Sequence, residues 1–254
     1  MNEAKSQWKE LGYVVVPDLF SPGELQELSE MTDQLLDGKL KPELPYKGEV
    51  PDEFYTFWEP GLKERDDLPR RDRVRLMSRM YYHHPYFRRL AAQPAIYDVL
   101  AELFGSGVQT FGDTVFVKPA RHGIAAAPHQ DTAFWPKLKP NAINFWMAID
   151  PATIENGCLY VLPGSHHHDL PHHSDPVMRW YLDENQADFS RQIPIELTPG
   201  SAIFFDSGLI HQSYPNQSDL SRRSMTAIYV AENVVHEAPW THQYHFDLLK
   251  RGGN

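Results

Sequence analysis

The chain has 254 residues, with 34 acidic against 24 basic and a net charge of -10. That balance argues against nucleic acid or an anionic membrane as its main partner. Its single cysteine, Cys158, excludes an intramolecular disulfide and any cysteine-rich zinc or iron–sulfur site, and at this length a core can be buried without such staples.

Residues 1–12 are polar and charged, and the first apolar run, 13–16, is too short for the core of a signal peptide. No stretch nears the ~18 consecutive apolar residues of a membrane span. A protein of the reducing cytoplasm is expected, acting on a small molecule; oligomeric state is not readable from these features.

In chain order, residues 2–11 read as a short helix ended by Gly12, and Tyr13-Val14-Val15-Val16 as a strand stopped by Pro17. Ser21-Pro22-Gly23-Glu24 is a helix start, with Ser21 as N-cap and Glu24 three residues on. Leu25, Leu28, Met31, Leu35 and Leu36 continue it as an amphipathic helix to Gly38. Residues 39–73 are proline-rich and irregular and carry Phe54-Tyr55-Thr56-Phe57-Trp58, an aromatic cluster that reads either as core or as the wall of an active-site lid loop. The dense charges of 63–75 read as a solvated surface. Two helices are expected over 86–92 and 94–104.

From Val108 short alternating apolar stretches are separated by Gly, Pro and Asn turns. Strands are expected over 108–111, 114–118, 126–134, 142–150, 159–163, 193–197, 201–205 and 225–231. The fold class is mainly β with helices: a double-stranded β-helix (jelly roll, cupin-like) core behind an N-terminal helical layer. One domain is expected, with a helical front end and lid over 1–107, the jelly roll over 108–235 and a tail over 236–254.

His129 and Asp131 lie two residues apart, so on a strand both side chains point to one face. An imidazole and a carboxylate there are two of the three ligands of the 2-His-1-carboxylate set of non-haem Fe(II) oxygenases. His211, 82 residues on and just past an expected strand, is the candidate third ligand; the bland alternative is a structural loop histidine. Three facial ligands leave three positions, two for a chelating 2-oxo acid and one for O2. The far carboxylate of that acid needs a planar cation. Arg222, 11 residues beyond His211, is placed for this, with Ser213 as a hydroxyl donor and Arg223 pointing the other way.

The sequence resembles the phytanoyl-CoA dioxygenase (PhyH-like) family of Fe(II)/2-oxoglutarate-dependent oxygenases. The resemblance rests on Gly12-Tyr13-Val14-Val15-Val16-Pro17, His129-Gln130-Asp131, residues 155–166 (Glu155 to His166, containing Asn156-Gly157-Cys158-Leu159 and Pro163-Gly164-Ser165), Pro199-Gly200-Ser201, and His211-Gln212-Ser213 with Arg222. It implies that His129, Asp131 and His211 bind Fe(II), that Arg222 holds the distal carboxylate of 2-oxoglutarate, and that Ser213, Gln130 and Trp146 contact that co-substrate. Gln212 stands where the family more often has glycine. Related halogenases have Gly or Ala at the carboxylate position, so Asp131 implies oxygenation. The implied reaction is oxidative decarboxylation of 2-oxoglutarate by O2 to succinate and CO2, coupled to hydroxylation of an unactivated carbon. Demethylation, desaturation and ring modification are outcomes of the same chemistry.

Phe134 and Trp135 follow the ligands directly. Asn144, Trp146 and Ala148 share one strand face, read as the cavity side, and Ile143, Phe145, Met147 and Ile149 the other, read as core. Phe134, Trp135, Asn144, Tyr55, Phe57 and Trp58 are the candidate substrate walls. The histidines at 166–168, 172 and 173 read as structural or solvated. A cupin-type metal protein that uses no 2-oxo acid, and a silent binding module, are the competing readings.

Overall fold

The computed structural model describes residues 2–40, 56–80, 83–104, 108–134, 142–176, 179–231 and 248–249. Two antiparallel sheets face each other. The larger has the order β1 (Tyr13–Val16), β11 (Ala202–Asp206), β6 (Ala142–Ala148), β13 (Arg222–Ala231), β4 (Val108–Lys118), β3 (Val74–Ser78), β2 (Thr56–Trp58), with β14 (Leu248–Leu249) also on β4. The smaller has the order β10 (Ile193–Ile195), β7 (Leu159–Val161), β12 (His211–Ser213), β5 (Ala126–His129). A separate hairpin joins β8 (His173–Asp175) to β9 (Arg179–Tyr181). This is the expected jelly roll.

Strand alternation sorts the side chains into two cores. On the outer face of the larger sheet, Phe145, Met147, Phe204, Met225 and Tyr229 pack against helices α2 (Pro22–Leu36), α3 (Pro85–Ala91) and α4 (Pro94–Phe104) through Leu28, Leu35, Phe87, Leu90, Ile96 and Leu100. Between the sheets, Trp146, Ala148, Ile203 and Phe205 meet Leu159, Val161 and Ile195. The expected division of the strand at 142–148 into a core face and an inner face is therefore observed.

Helix α2 starts where its sequence says. Ser21 Oγ accepts the Glu24 N–H at 3.4 Å, Glu24 Oε2 accepts the Ser21 N–H at 2.8 Å, and Pro22 opens the first turn. Its other end is held by the charge run expected to be solvated. Arg70 donates to Leu36 O, and Arg71 pairs with Asp37 at 2.6 Å. Cations at a helix C-terminus meet its exposed carbonyls. Arg223 points to this outer side as expected, pairing with Asp150 and Asp33 at 2.7 Å each.

Two strand expectations are corrected. The stretches 108–111 and 114–118 form one strand, because Gly112 sits at a bulge: Ile228 pairs with Gly112 but Tyr229 with Thr110. Residues 56–58, inside the stretch read as irregular, and 74–78, which begin in the charged stretch read as solvated, form β2 and β3 beside β4.

The turn before β7 depends on Gly157, at φ +78°, where an added Cβ would collide with Tyr214 O. Gly157→Ala is expected to cost at least about 2 kcal/mol, from left-handed strain plus the clash. Thermal unfolding checks this: Tm should fall by roughly 4 °C or more, while Gly23→Ala, with open space around it in α2, lowers it not at all.

Candidate active site

The smaller sheet brings the distant ligands together. His211 opens β12 directly opposite His129 at the end of β5. The strand expected over 126–134 stops at His129, and Asp131 begins a single 3₁₀ turn, Asp131–Ala133. Asp131 still faces the same way, because Gln130 between them remains extended (φ -110°, ψ 133°). One ligating atom from each of His129, Asp131 and His211 lies within 4.8 Å of the others. His129 Nε2 is 3.4 Å from Asp131 Oδ1, His211 Nε2 is 3.8 Å from Asp131 Oδ2, and the imidazole centroids are 4.2 Å apart.

Both tautomers are fixed for metal binding. His129 Nδ1 contacts Ala127 O at 2.7 Å and His211 Nδ1 contacts Leu209 O at 2.9 Å. A carbonyl only accepts, so each Nδ1 carries a proton and each Nε2 is the nitrogen that faces the site. Burial, helped by His129, pushes the His211 imidazole down to about 4, so it is neutral at pH 7. Burial disfavours charge on His129 and Asp131 as well, but it is outweighed: His211 first and His129 second hold Asp131 below the ordinary carboxylate range, and the contact with Asp131 holds His129 above the ordinary imidazole range. A metal displaces the proton that Asp131 favours on His129 Nε2, and the two neutral Nε2 donors and the carboxylate then fit a divalent iron ion.

Gln130 does something other than the expected co-substrate contact. It is 1% exposed. Its amide donates to His168 O and Gly208 O and accepts from Leu170 N, while its own N–H donates to His172 Nε2 at 2.9 Å. It ties the histidine-bearing loop to the ligand segment, and His172 is half-buried rather than solvated. Asn144 is likewise buried, donating to Ser207 Oγ at 3.0 Å and to the Asp131 carboxylate.

On the inner face of the larger sheet, Arg222 is 4% exposed. Its guanidinium lies 5.3 Å from the Trp146 ring centroid and donates to Ser224 Oγ at 2.8 Å, while its Nε has no hydrogen-bond partner. Burial pulls it down to about 10. No carboxylate forms an ion pair with it among the described residues, so this buried cation is set to receive an anion. Lys118, which sequence reasoning passed over, sits opposite Arg222 in the strand register. Its Nζ donates to Ile124 O and Tyr214 O at 2.6 and 2.8 Å, and burial beside Arg222 pulls it down to about 7. Its only sequence signal was a lysine continuing the inward alternation of Thr114 and Phe116.

Of the expected walls, Phe134 stands edge-on to His129, with centroids 5.8 Å apart. Ser213 is buried on β12. Phe57 is 41% exposed on β2. Trp58 turns away from the site: it packs against the outer core, with Arg70 and Arg73 over its ring at 5.4 and 5.5 Å. Tyr55 and Trp135, and residues 41–55 of the expected lid, lie outside the described residues.

A jelly roll with a clustered His-Asp-His set and a buried arginine that no carboxylate pairs with among the described residues defines a non-haem Fe(II)/2-oxoglutarate-dependent oxygenase, whose cofactors are Fe(II), 2-oxoglutarate and O2. The chain belongs to the phytanoyl-CoA dioxygenase (PhyH) family, whose model matches residues 8–224. It is 27% identical over 246 residues to a methylphosphonate hydroxylase of Gimesia maris, covering 95% of this chain and 84% of that protein. It is 24% identical to phytanoyl-CoA dioxygenase domain-containing protein 1 of Danio rerio, covering 90% of each. In fold it is similar to EctD from S. alaskensis, solved with 2-oxoglutarate and 5-hydroxyectoine, at a TM-score of 0.74 and 22% identity over 98% of this chain and 86% of that one. No helix among the described residues is long and apolar enough to cross a membrane.

Proposed function

We propose that the protein hydroxylates an unactivated carbon of a small metabolite in the cytoplasm, releasing succinate and CO2. His129, Asp131 and His211 hold the iron, and Arg222, with Ser213 and Lys118, holds the distal carboxylate of 2-oxoglutarate. The observation that carries this reading is the buried Arg222 guanidinium, in no ion pair among the described residues, on the sheet that faces the ligand set. Iron would supply the chemistry that couples O2 to 2-oxoglutarate decarboxylation. The chain's own part is to fix both imidazole tautomers through Ala127 O and Leu209 O, to pin Asp131 through Asn144, and to exclude water with Trp146, Phe205 and Phe134. The likeness to a methylphosphonate hydroxylase over most of the chain supports hydroxylation of a small molecule.

The test is an anaerobic titration of the Fe(II) protein with 2-oxoglutarate, followed by its visible spectrum. A weak metal-to-ligand charge-transfer band is expected, lost in His129→Ala. A protein that binds the metal but gives no band, and shows no 2-oxoglutarate affinity, would be a cupin-type metal protein instead.

A further inference from the structure

The site carries more positive charge than the co-substrate needs, and the surplus sits in two side chains the reading above does not use. Arg75 is the extra residue of a β-bulge: Leu76 pairs with Phe57, but Val74 pairs with Trp58, so Arg75 has no partner on β2. The bulge explains how Val74 and Met77, an odd number of residues apart, both enter the outer core. It turns Arg75 to the inner side with Leu76, which lies opposite Phe116 on the face that carries Lys118. Its charged neighbours there are Glu59, Lys118 and Arg179. It is half-buried, forms no ion pair within 4 Å among the described residues, and burial holds its guanidinium below the usual range.

Arg179 arrives from the opposite wall. Hairpin β8–β9 is fastened to the metal-bearing strand by Leu182 N–H donating to Pro128 O at 2.8 Å. It presents the Arg179 guanidinium 5.5 Å from the Phe134 ring centroid, and that ring is itself 5.8 Å from His129. Arg179 is close enough to act on the charge of both His129 and Arg75. It holds φ at +65°, a conformation that side-chain-bearing residues keep only where the surroundings enforce it.

The acid nearby does not balance the two. Glu59 is 2% exposed and its Oε1 accepts the Ile124 N–H at 2.8 Å. A metal dication is offset by Asp131 and a dicarboxylate, and Arg222 makes that set neutral. Arg75, Arg179 and a protonated Lys118, against Glu59 and the Asp175 that pairs with Arg179 across the hairpin, then leave one positive charge over, in a chain whose net charge is -10. A guanidinium fork that closes on no carboxylate is matched to an oxyanion.

We propose that Arg75 and Arg179 form the seat for an anionic group of the prime substrate at the mouth of the metal site, so that the substrate is a small molecule carrying a phosphonate or carboxylate. This rests on the oxygenase reading above. The anion would span the two walls, one guanidinium from β3 and one from the hairpin, and hold a C–H bond over the ligand set. Arg179, the more exposed of the two, would also draw the anion in from solvent, an effect that weakens with salt.

The experiment uses the full chain with Fe(II) and 2-oxoglutarate under anaerobic conditions. The charge-transfer band is followed as methylphosphonate, propionate or the neutral dimethyl methylphosphonate is added. At least one anion is expected to shift the band saturably and the neutral ester is not; the relative strength of the two anions distinguishes phosphonate from carboxylate. Arg75→Gln and Arg179→Gln should keep the unperturbed band and weaken the anion's Kd at least about tenfold, and Arg75→Lys should restore part of the loss. A wild-type band that no anion shifts, or Gln variants that bind the anion as wild type does, would overturn the inference and leave the oxygenase reading standing. Loss of the band rather than a shift would mean that the anion displaces 2-oxoglutarate, which also overturns it. No band in the wild type overturns the oxygenase reading, and this inference with it.

Discussion

Asp131→Ala is expected to abolish 2-oxoglutarate turnover, by roughly 1,000-fold or more, since several kcal/mol of metal-derived stabilisation disappear with the iron. The cause is local. Asp131 is the only carboxylate in the clustered donor set, and its two oxygens face both imidazoles, at 3.4 and 3.8 Å. The alanine variant leaves two neutral Nε2 donors, which hold a hard divalent cation far less well. The check is iron content after desalting, together with succinate release. Asp131→Asn is the sharper comparison: it keeps an oxygen donor and the contact with Asn144, loses the charge, and should fall between wild type and alanine in iron affinity. The metal-free protein carries a pH signature of the same site. His211 is held at about 4 against an ordinary value near 6.5. Between those values His211 binds more protons in the unfolded chain, so the stability it contributes is present above about pH 6.5 and lost as pH falls through about 4, while His129, held above its ordinary value by Asp131, contributes stability that is lost as pH rises. Retention of iron and turnover by Asp131→Ala would remove Asp131 from the ligand set.

The ligand set was legible because its geometry is short-range. A two-residue spacing across an extended residue survives the early end of the strand at His129, and the alternation of residues 142–148 fixed which side chains faced the cavity and which the helices. The capping box at Ser21 was legible for the same reason. What stayed hidden depends on partners far away in sequence. Arg70, Arg71 and Arg73 read as solvated until α2 and Trp58 are brought against them. Gln130 read as a co-substrate contact because nothing local reveals that Gly208, 78 residues on, claims its amide. Arg75 comes within charge range of Lys118 and of Arg179 although the three sit on separate elements, and the bulge that turns Arg75 inward is a mismatch of register between β2 and β3, written in neither strand alone.

Arg222→Met separates function from folding. A buried guanidinium whose Nε has no hydrogen-bond partner costs the fold desolvation that little returns. Replacing such a group with an apolar side chain of similar length is neutral or stabilising, by up to about 4 kcal/mol. Tm is therefore expected to hold or rise. The 2-oxoglutarate KM should rise by about 100-fold, since a charge-assisted hydrogen bond contributes about 1.5–3 kcal/mol and each 1.4 kcal/mol is tenfold. Arg222→Lys keeps the charge without the planar fork and should recover only part of this. Lys118 adds a pH readout that a purely structural arginine would not give. In the free protein its ammonium is held at about 7, by burial first and by Arg222 second. A bound carboxylate raises that value, so binding takes up a proton whenever Lys118 starts neutral. The wild-type affinity for 2-oxoglutarate is thus expected to fall as pH rises through about 7, and below that to be flat. In Arg222→Met the repulsion from Arg222 is gone, and the fall should begin at higher pH. A variant with lowered Tm, unchanged KM and an unshifted pH profile would make Arg222 a structural residue and send the co-substrate's distal carboxylate elsewhere in the site.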